Sequence, residues 1–210
     1  MKWIKYLTIN KIPYHIYKIK KKDSIILTNV ENENNNLLII LCGILYITKV
    51  FPNKELLPVA ILEKNEIFSQ NRKNKDIYYK LTSLETTYVL SIEEHKVKMS
   101  NSYISKDINI LKSHQKTVYK YELNNEIISQ RYTKDRIIQL ILIICLQFGK
   151  IKNKQLLIPF KLSQKNIAIL SGTNKSSVNK TIKKMRTMKI LRNVDKKTIY
   201  INNLLNLSLK

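Results

Sequence analysis

The chain has little of the small and rigid residues: three glycines, four prolines, and alanine only at Ala60 and Ala168. Its two cysteines, Cys42 and Cys145, lie in separate apolar segments, and its three histidines lack metal-ligand spacing. These features argue against a disulfide framework and against a zinc site. The sequence therefore predicts two buried thiols in a reducing compartment, with no metal.

Long hydrophobic runs are also missing. The strongest one, residues 137–146, is too short to span a bilayer, and the N-terminus has neither the apolar core nor the cleavage site of a secretory signal. We expect a buried helix over 137–148 and no membrane partner. The sequence shows no Ser/His/Asp arrangement, paired-carboxylate signature or phosphate loop, so we expect no enzyme activity. Residues 93–95, Glu-Glu-His, are interpreted as the start of a helix.

Acidic residues are scarce in the C-terminal third. The chain has 38 Lys+Arg against 15 Asp+Glu, a formal net charge of +23, yet after Asp135 the only carboxylate side chain is Asp195. Such a basic field attracts polyphosphate, and binding should weaken steeply with salt because condensed counterions are released. The asymmetry favours a nucleic acid over an acidic membrane surface as the partner.

A helix-turn-helix motif is predicted over residues 162–180. Ala168 leaves room for a second helix, Gly172 can take the positive φ of a tight turn, and Val178 returns an apolar side chain to the shared core. Ser163 and Asn174 are the predicted N-caps. An ordinary helical hairpin with solvated lysines is the alternative.

The surroundings of this motif predict a winged helix-turn-helix domain. A helix over 133–148 and a strand over 156–160 precede the motif. A hairpin of residues 190–193 and 198–201 follows it and is interpreted as a wing. Lys196 in the wing turn is expected to lie near a phosphate backbone, where it would contribute position rather than sequence information.

The first half alternates short β-type runs with polar turns from about residue 15 to 95. The runs cover residues 24–28, 37–41, 44–50, 59–62, 77–81 and 86–92. Strands of this length and spacing predict an antiparallel barrel or sandwich.

Residues 103–131 predict a long helix between the two halves, without proline or glycine. One face carries Ile104, Ile108, Leu111, Val118 and Glu122. A neighbouring face carries Ile110, Thr117, Tyr121, Asn124 and Ile128. Such a helix is expected to dimerise, and a monomeric connector packed on the barrel is the alternative.

This order of elements resembles the Crp/Fnr superfamily of transcription regulators. The resemblance rests mainly on residues 136–149, 157–164 and 172–180, and residues 140–149 are most similar to nitrogen-control regulators of cyanobacteria and red-algal plastids. It implies an α+β fold: a jelly-roll-like antiparallel β-roll sensor domain at 1–102, a dimerisation helix at 103–132, and a winged helix-turn-helix at 133–210. It also implies a homodimeric, sequence-specific activator linked to nitrogen control, working with RNA polymerase.

The resemblance further implies that the second helix of the motif lies in the major groove of double-stranded DNA. The residues that match its base-reading positions are Lys175, Ser176, Asn179 and Lys180, with Asn174 at the helix start in the same DNA-binding set. Gln164 matches a phosphate or base contact, and Lys183 and Lys184 match phosphate contacts. Lys175 stands where the family usually has arginine, so it lacks the rigid guanidinium fork for guanine.

The nitrogen-control relatives bind 2-oxoglutarate through the barrel and the long helix, so the resemblance implies this effector and no other cofactor. Phe68 and Glu122 match the family. Ser69 replaces the glycine after the phenylalanine, and Thr117 replaces the helix arginine. The substitute cations available for a carboxylate are Lys80, Lys116 and Lys120.

The competing function is that of a ligand-independent architectural or RNA-binding protein, in which the β-roll is a dimer scaffold.

The amino-acid composition indicates an AT-rich genome. Isoleucine, lysine and asparagine are abundant while alanine and arginine are rare, as AT-rich codons would produce. This composition predicts a plastid stroma or the cytoplasm of a low-GC bacterium.

Overall fold

The computed structural model describes residues 2–27, 36–69, 76–99, 110–152, 155–193 and 199–201. The chain divides into two compact units, residues 1–55 with 59–122 and residues 56–58 with 123–210. The three-part division expected from the sequence stays a prediction, because its first boundary lies outside the described residues.

The first unit is built mainly from short strands. Its helices are α1 (Lys2–Ile9), α2 (Glu94–Met99) and the first part of α3 (Ile110–Ser129). Its strands are β1 (His15–Ile19), β2 (Ser24–Leu27), β3 (Asn36–Cys42), β4 (Leu45–Val50), β5 (Leu56–Leu62, whose first three residues belong to the second unit), β6 (Ile67–Ser69), β7 (Tyr78–Ser83) and β8 (Thr87–Glu93). Helix α2 begins at Glu94, as the sequence predicts.

Among the described residues these strands form two four-stranded sheets, ordered β1-β8-β3-β6 and β2-β7-β4-β5. Alternate residues of β3 point to opposite faces. Leu38 and Ile40 join Phe68 and Leu81 in one buried cluster that draws residues from both sheets. This core confirms the predicted antiparallel β-roll.

The other face of the first sheet is covered by helix α1. Trp3, Tyr6 and Leu7 pack there against residues of β3 that include Leu37 and Ile39. Both faces of β3 are therefore buried, which explains why residues 37–41 form a continuous apolar run rather than an alternating one.

The second unit is a winged helical domain. Its elements after α3 are α4 (Thr133–Phe148), β9 (Lys150–Lys152), β10 (Gln155–Leu157), α5 (Gln164–Leu170), α6 (Lys175–Thr187), β11 (Leu191–Asn193) and β12 (Ile199–Ile201). The sheet order is β11-β12-β10-β9, and Leu191 pairs with Ile201 in the predicted wing. Phe148 meets Phe160 edge to face, with ring centroids 5.5 Å apart.

Several local predictions need correction. The sequence patterns do not indicate helix α1 or strands β1, β6 and β9, because each is short and is formed by packing or pairing with distant residues. The strand expected over 156–160 ends at Leu157, since Pro159 cannot donate to a ladder. Ile104 and Ile108 lie outside the described residues.

The two cysteines differ in burial. Cys145 is buried as predicted, which raises the pKa of its thiol to about 12. The prediction of a second buried thiol is wrong, because Cys42 is half-buried at the end of β3, where the strand gives way to a turn. Within the described ranges, no cluster of three histidine, cysteine or acidic side chains is placed to hold a metal ion. None of the helices in those ranges is long and apolar enough to cross a bilayer.

Candidate nucleic-acid interface

The turn between α5 and α6 is built by local signals that the sequence already carries. The Ser163 hydroxyl accepts a hydrogen bond from the Asn166 amide at 3.1 Å, and the Asn174 side chain accepts one from the Ser177 amide at 2.8 Å. Gly172 has φ +57°. Both predicted N-caps and the predicted positive-φ glycine are therefore confirmed.

Helix α6 is buried along one face only. Val178, Thr181, Ile182 and Met185 form that face. The residues on the opposite side are exposed, and they include Lys175, Ser176, Asn179, Lys180, Lys183 and Lys184. The sequence-predicted recognition residues of α6 thus share the solvent side of one helix.

Gln164 and Asn174 are the other predicted DNA-binding residues that lie within the described ranges. Gln164, half-buried in the first turn of α5, donates from its amide nitrogen to the Asn179 side-chain oxygen at 3.3 Å. Asn174 is exposed at the start of α6. Their assignment to DNA stays a prediction, and Lys196 lies outside the described residues.

Arg136 supports the turn in a way that sequence reasoning missed. Its Nε donates to the Gln130 carbonyl at 2.8 Å, and its Nη1 lies 3.4 Å from the Gly172 carbonyl oxygen. The guanidinium therefore joins the start of α4 to the turn of the motif. An isolated arginine 36 residues away gives no sequence signal for this contact.

The predicted effector residues lie on different elements and differ in how deeply they are buried. Phe68 is 2% exposed and meets Tyr79 edge to face, with centroids 5.2 Å apart. Ser69 ends β6 opposite Leu37. Lys80 is half-buried on β7, and Glu122 is exposed on α3.

Lys120 is buried in an ion cluster with two carboxylates. Its Nζ lies 3.2 Å from Glu63 Oε1 and 3.6 Å from Glu66 Oε1. Glu66 is 2% exposed, and its Oε2 accepts a hydrogen bond from the Glu63 amide at 2.8 Å. Neither glutamate is among the sequence-predicted site residues, although Glu63 and Glu66 flank the turn between β5 and β6 at an i, i+3 spacing.

Burial dominates the electrostatics of this cluster. It raises the pKa of Glu66 to about 7, while Lys120 and the Glu63 amide oppose the rise. Glu63 and Lys116 act on Glu66 more weakly. Glu66 therefore changes charge near neutral pH, inside the first unit.

Thr117, also on α3, contacts strand β6 near the ion cluster. Its hydroxyl accepts a hydrogen bond from the Ile67 amide at 3.1 Å and donates to the Ser113 carbonyl. Thr117 thus satisfies a strand amide of β6.

No protein-family model matches the sequence. A protein of Porphyra purpurea named as a candidate HTH-type transcriptional regulator, ycf28, is 26% identical over 200 residues, which cover 94% of this chain and 82% of that protein.

Two solved structures show the same architecture at low sequence identity. A mutant of CooA from Carboxydothermus hydrogenoformans matches with a TM-score of 0.74 at 17% identity, covering 95% of this chain and 88% of that one. A CRP-family transcriptional regulator from Thermus thermophilus matches with a TM-score of 0.71 at 13% identity, covering 91% and 94%. The chain therefore has the α+β fold of the CRP/FNR regulators, with a β-roll followed by helices and a helix-turn-helix.

Proposed function

We propose that the protein is a sequence-specific DNA-binding transcription regulator that places α6 in the major groove. The observation that carries this proposal is the one-sided helix: Lys175, Ser176, Asn179 and Lys180 lie on its exposed side, and its opposite side is buried. A helix of ordinary diameter, about 10–12 Å, fits a major groove about 12 Å wide. The similarity to a protein named for transcriptional regulation supports the same function.

The side chains on α6 suit base recognition. Asn179 can pair with adenine through its amide, and Lys175 can donate to the O6 and N7 atoms of guanine. The Gln164 side-chain amide donates a hydrogen bond to the Asn179 side chain, which limits the rotamers of Asn179 before DNA binds. We propose Gln164 as a positioning contact and Lys183 as a phosphate contact.

The protein acts as a homodimer in this proposal, through α3. Leu111 and Val118 are 68% and 50% exposed, and they recur at a seven-residue interval that continues to exposed Asn125. Residues seven apart occupy the same heptad position of a parallel helix pair, and a single asparagine at such a position specifies the register of the pair. Two copies would present two recognition helices to half-sites about one DNA turn apart.

The effector we propose is 2-oxoglutarate, bound at the ion cluster. One ligand carboxylate would replace Glu63 or Glu66 at the Lys120 ammonium. Isothermal titration of the protein with 2-oxoglutarate should give heat that is lost in Lys120→Ala, and an absence of heat from the unaltered protein would remove this effector.

An activator role in nitrogen control, with RNA polymerase as a partner and the plastid stroma as the location, is a narrower part of the proposal. It is supported by the resemblance of residues 140–149 to nitrogen-control regulators and by a relative from a red alga. Run-off transcription with plastid-type RNA polymerase, on a promoter carrying the selected site, distinguishes activation from repression.

The decisive experiment for the general function is selection of bound DNA from a random duplex pool at near-physiological salt, with and without 2-oxoglutarate. A two-fold-symmetric motif is the expected result. Recovery of a pool without sequence preference would favour the architectural protein, and preferential retention of RNA would favour the RNA-binding alternative.

Replacing Lys175 with alanine should relax base preference at one position of each half-site. We expect a loss of about 1–3 kcal/mol on the selected duplex and a much smaller loss on random DNA, because base contacts rather than phosphate contacts carry sequence information. Competition binding with duplexes that vary at each position measures the effect. Equal losses on selected and random DNA would refute a base-reading role for Lys175.

A further inference from the structure

A concavity whose lining includes three lysines lies beside the recognition helix, between α6 and the start of α4. Its volume is about 190 Å³, and the residues that line it are Lys134, Lys180, Thr181, Lys184 and Met185. Thr181 and Met185 are buried at 8% and 1% exposure. Lys180 and Lys184 are exposed, and Lys134 is half-buried. The three lysines therefore come from two helices, with Lys134 on α4 and the other two on α6.

The charge of this concavity is not balanced by its own lining. None of its described lining residues is acidic. Asp135 follows Lys134 on α4 but does not line the concavity, and the sequence from 136 to 193 contains no aspartate or glutamate. The surface of the concavity is mostly apolar, so a bound anion would be held at its rim by lysine ammonium groups from two helices.

The position of the concavity on α6 identifies the kind of anion. Successive residues of an α-helix are about 100° apart, so Lys180 and Lys184 lie about 140–180° around the axis from Lys175. When a helix occupies the major groove, the residues on its flanks face the phosphate walls of that groove. Lys134 lies on this flank, outside the helix that enters the groove.

We propose that Lys134, Lys180 and Lys184 form a clamp for one backbone phosphate of duplex DNA. This clamp rests on the proposed function, and it adds Lys134 on α4 to an interface that sequence reasoning confined to the motif and its wing. It also assigns Lys180, which the resemblance matches to a base-reading position, to the phosphate backbone. The contact is independent of base sequence. It fixes the depth and the register of α6 in the groove.

The test compares Lys134→Gln with Lys150→Gln in the full-length protein. Lys150 is exposed at the start of β9, beyond the C-terminal end of α4. Helix α4 spans about 24 Å and Lys134 lies in its first turn, so Lys150 is a charge-matched control away from the clamp. Binding of the selected duplex and of a scrambled duplex is measured over a series of salt concentrations, with unfolding midpoints to verify folding.

We expect Lys134→Gln to weaken binding of both duplexes by the same factor, about five- to tenfold, and to reduce the salt slope by about one. Lys134→Arg should retain the binding of the unaltered protein, and Lys150→Gln should leave the slope unchanged. Identical behaviour of the two glutamine variants would overturn the clamp while leaving the proposed function intact. An unaltered protein that shows no preference for the selected duplex would instead overturn the proposed function and the clamp with it.

A separate measurement distinguishes backbone phosphate from a free phosphorylated ligand. Inorganic phosphate and a mononucleotide are titrated into the protein at constant ionic strength. Weak or absent heat is expected from both. Saturable heat that depends on Lys134, combined with DNA binding unaffected by Lys134→Gln, would assign the concavity to a free ligand and overturn the clamp.

Discussion

Lys120→Met is expected to lower the free energy of unfolding by about 3–5 kcal/mol at pH 8, because it leaves two carboxylates without their buried counter-ion. Glu66 is 2% exposed, and the Lys120 ammonium lies 3.6 Å from its Oε1. An ionised carboxylate in such surroundings is costly unless it is paired. This loss is a large share of the stability of an ordinary domain.

The matched control for this variant is Lys116→Met on the same helix. Lys116 is exposed one turn before Lys120, and it acts on Glu66 only weakly through charge. We expect it to change stability by no more than about 0.5 kcal/mol. Chemical denaturation at fixed pH measures both variants. Similar losses in the two would mean that the ion cluster contributes little.

The pH dependence of stability should report the same cluster. Burial raises the pKa of Glu66 from 4.5 to about 7, a shift worth about 3 kcal/mol at 1.36 kcal/mol per unit. Because the folded state binds the proton more tightly, this contribution is fully present below about pH 4.5 and is lost as the pH rises through about 7.

Glu66→Gln provides the reference for that pH profile. The amide can still accept the Glu63 N–H bond, but it carries no titrating proton. Relative to this variant, the unaltered protein should lose about 2.5 kcal/mol of unfolding free energy between pH 5 and pH 8. Parallel profiles for the two proteins would show that Glu66 does not titrate in this range.

Val118→Glu is expected to produce a monomer and to weaken binding of a duplex with two half-sites by about 10²–10⁴-fold. In the proposed dimer, the two Val118 side chains meet in the α3 seam, where a pair of carboxylates would repel and lose hydration. The second recognition helix would then no longer bind at the high effective concentration that the first one provides.

The measurements are sedimentation velocity and titration of duplexes with one or two half-sites. Binding of a single half-site should be unchanged, because Val118 is not part of the DNA interface. Ile9→Glu is the control, since Ile9 on α1 is also an exposed apolar residue, at 68%. A dimer that persists in Val118→Glu would place the subunit contact elsewhere.

The recognition motif shows how far local sequence patterns extend. Ser163, Gly172 and Asn174 act on amides or dihedral angles within a few residues of themselves, so their roles follow from sequence spacing. The apolar positions of α6 repeat with the helical period, which separates its buried side from its exposed side. The pattern also predicts helix α4 with its observed bounds, Thr133–Phe148, for the same reason.

Helix α3 shows where such patterns fail. Its buried residues include Ser113, Thr117, Lys120 and Asn124, whereas Leu111 and Val118 are exposed. A prediction from hydrophobic periodicity treats apolar residues as buried and polar residues as exposed. In α3 it therefore cannot distinguish a solvated polar face from a polar face that is buried and hydrogen-bonded to a strand. Each buried polar residue needs a partner, and that partner is distant in sequence: Thr117 bonds the Ile67 amide, and Lys120 pairs with Glu63.

The sequence by itself determined the class of fold, the helix-turn-helix and its caps, and the basic character of the C-terminal third, because these depend on near neighbours and on composition. Only the tertiary structure decided that Lys120 is buried between Glu63 and Glu66, that Arg136 reaches the turn of the motif, and that Lys134 joins Lys184 beside the recognition helix. The reason is physical. Whether a charged side chain is solvated, paired or held beside other charges depends on residues that folding brings together from tens of positions away, and its own sequence neighbourhood carries no record of them.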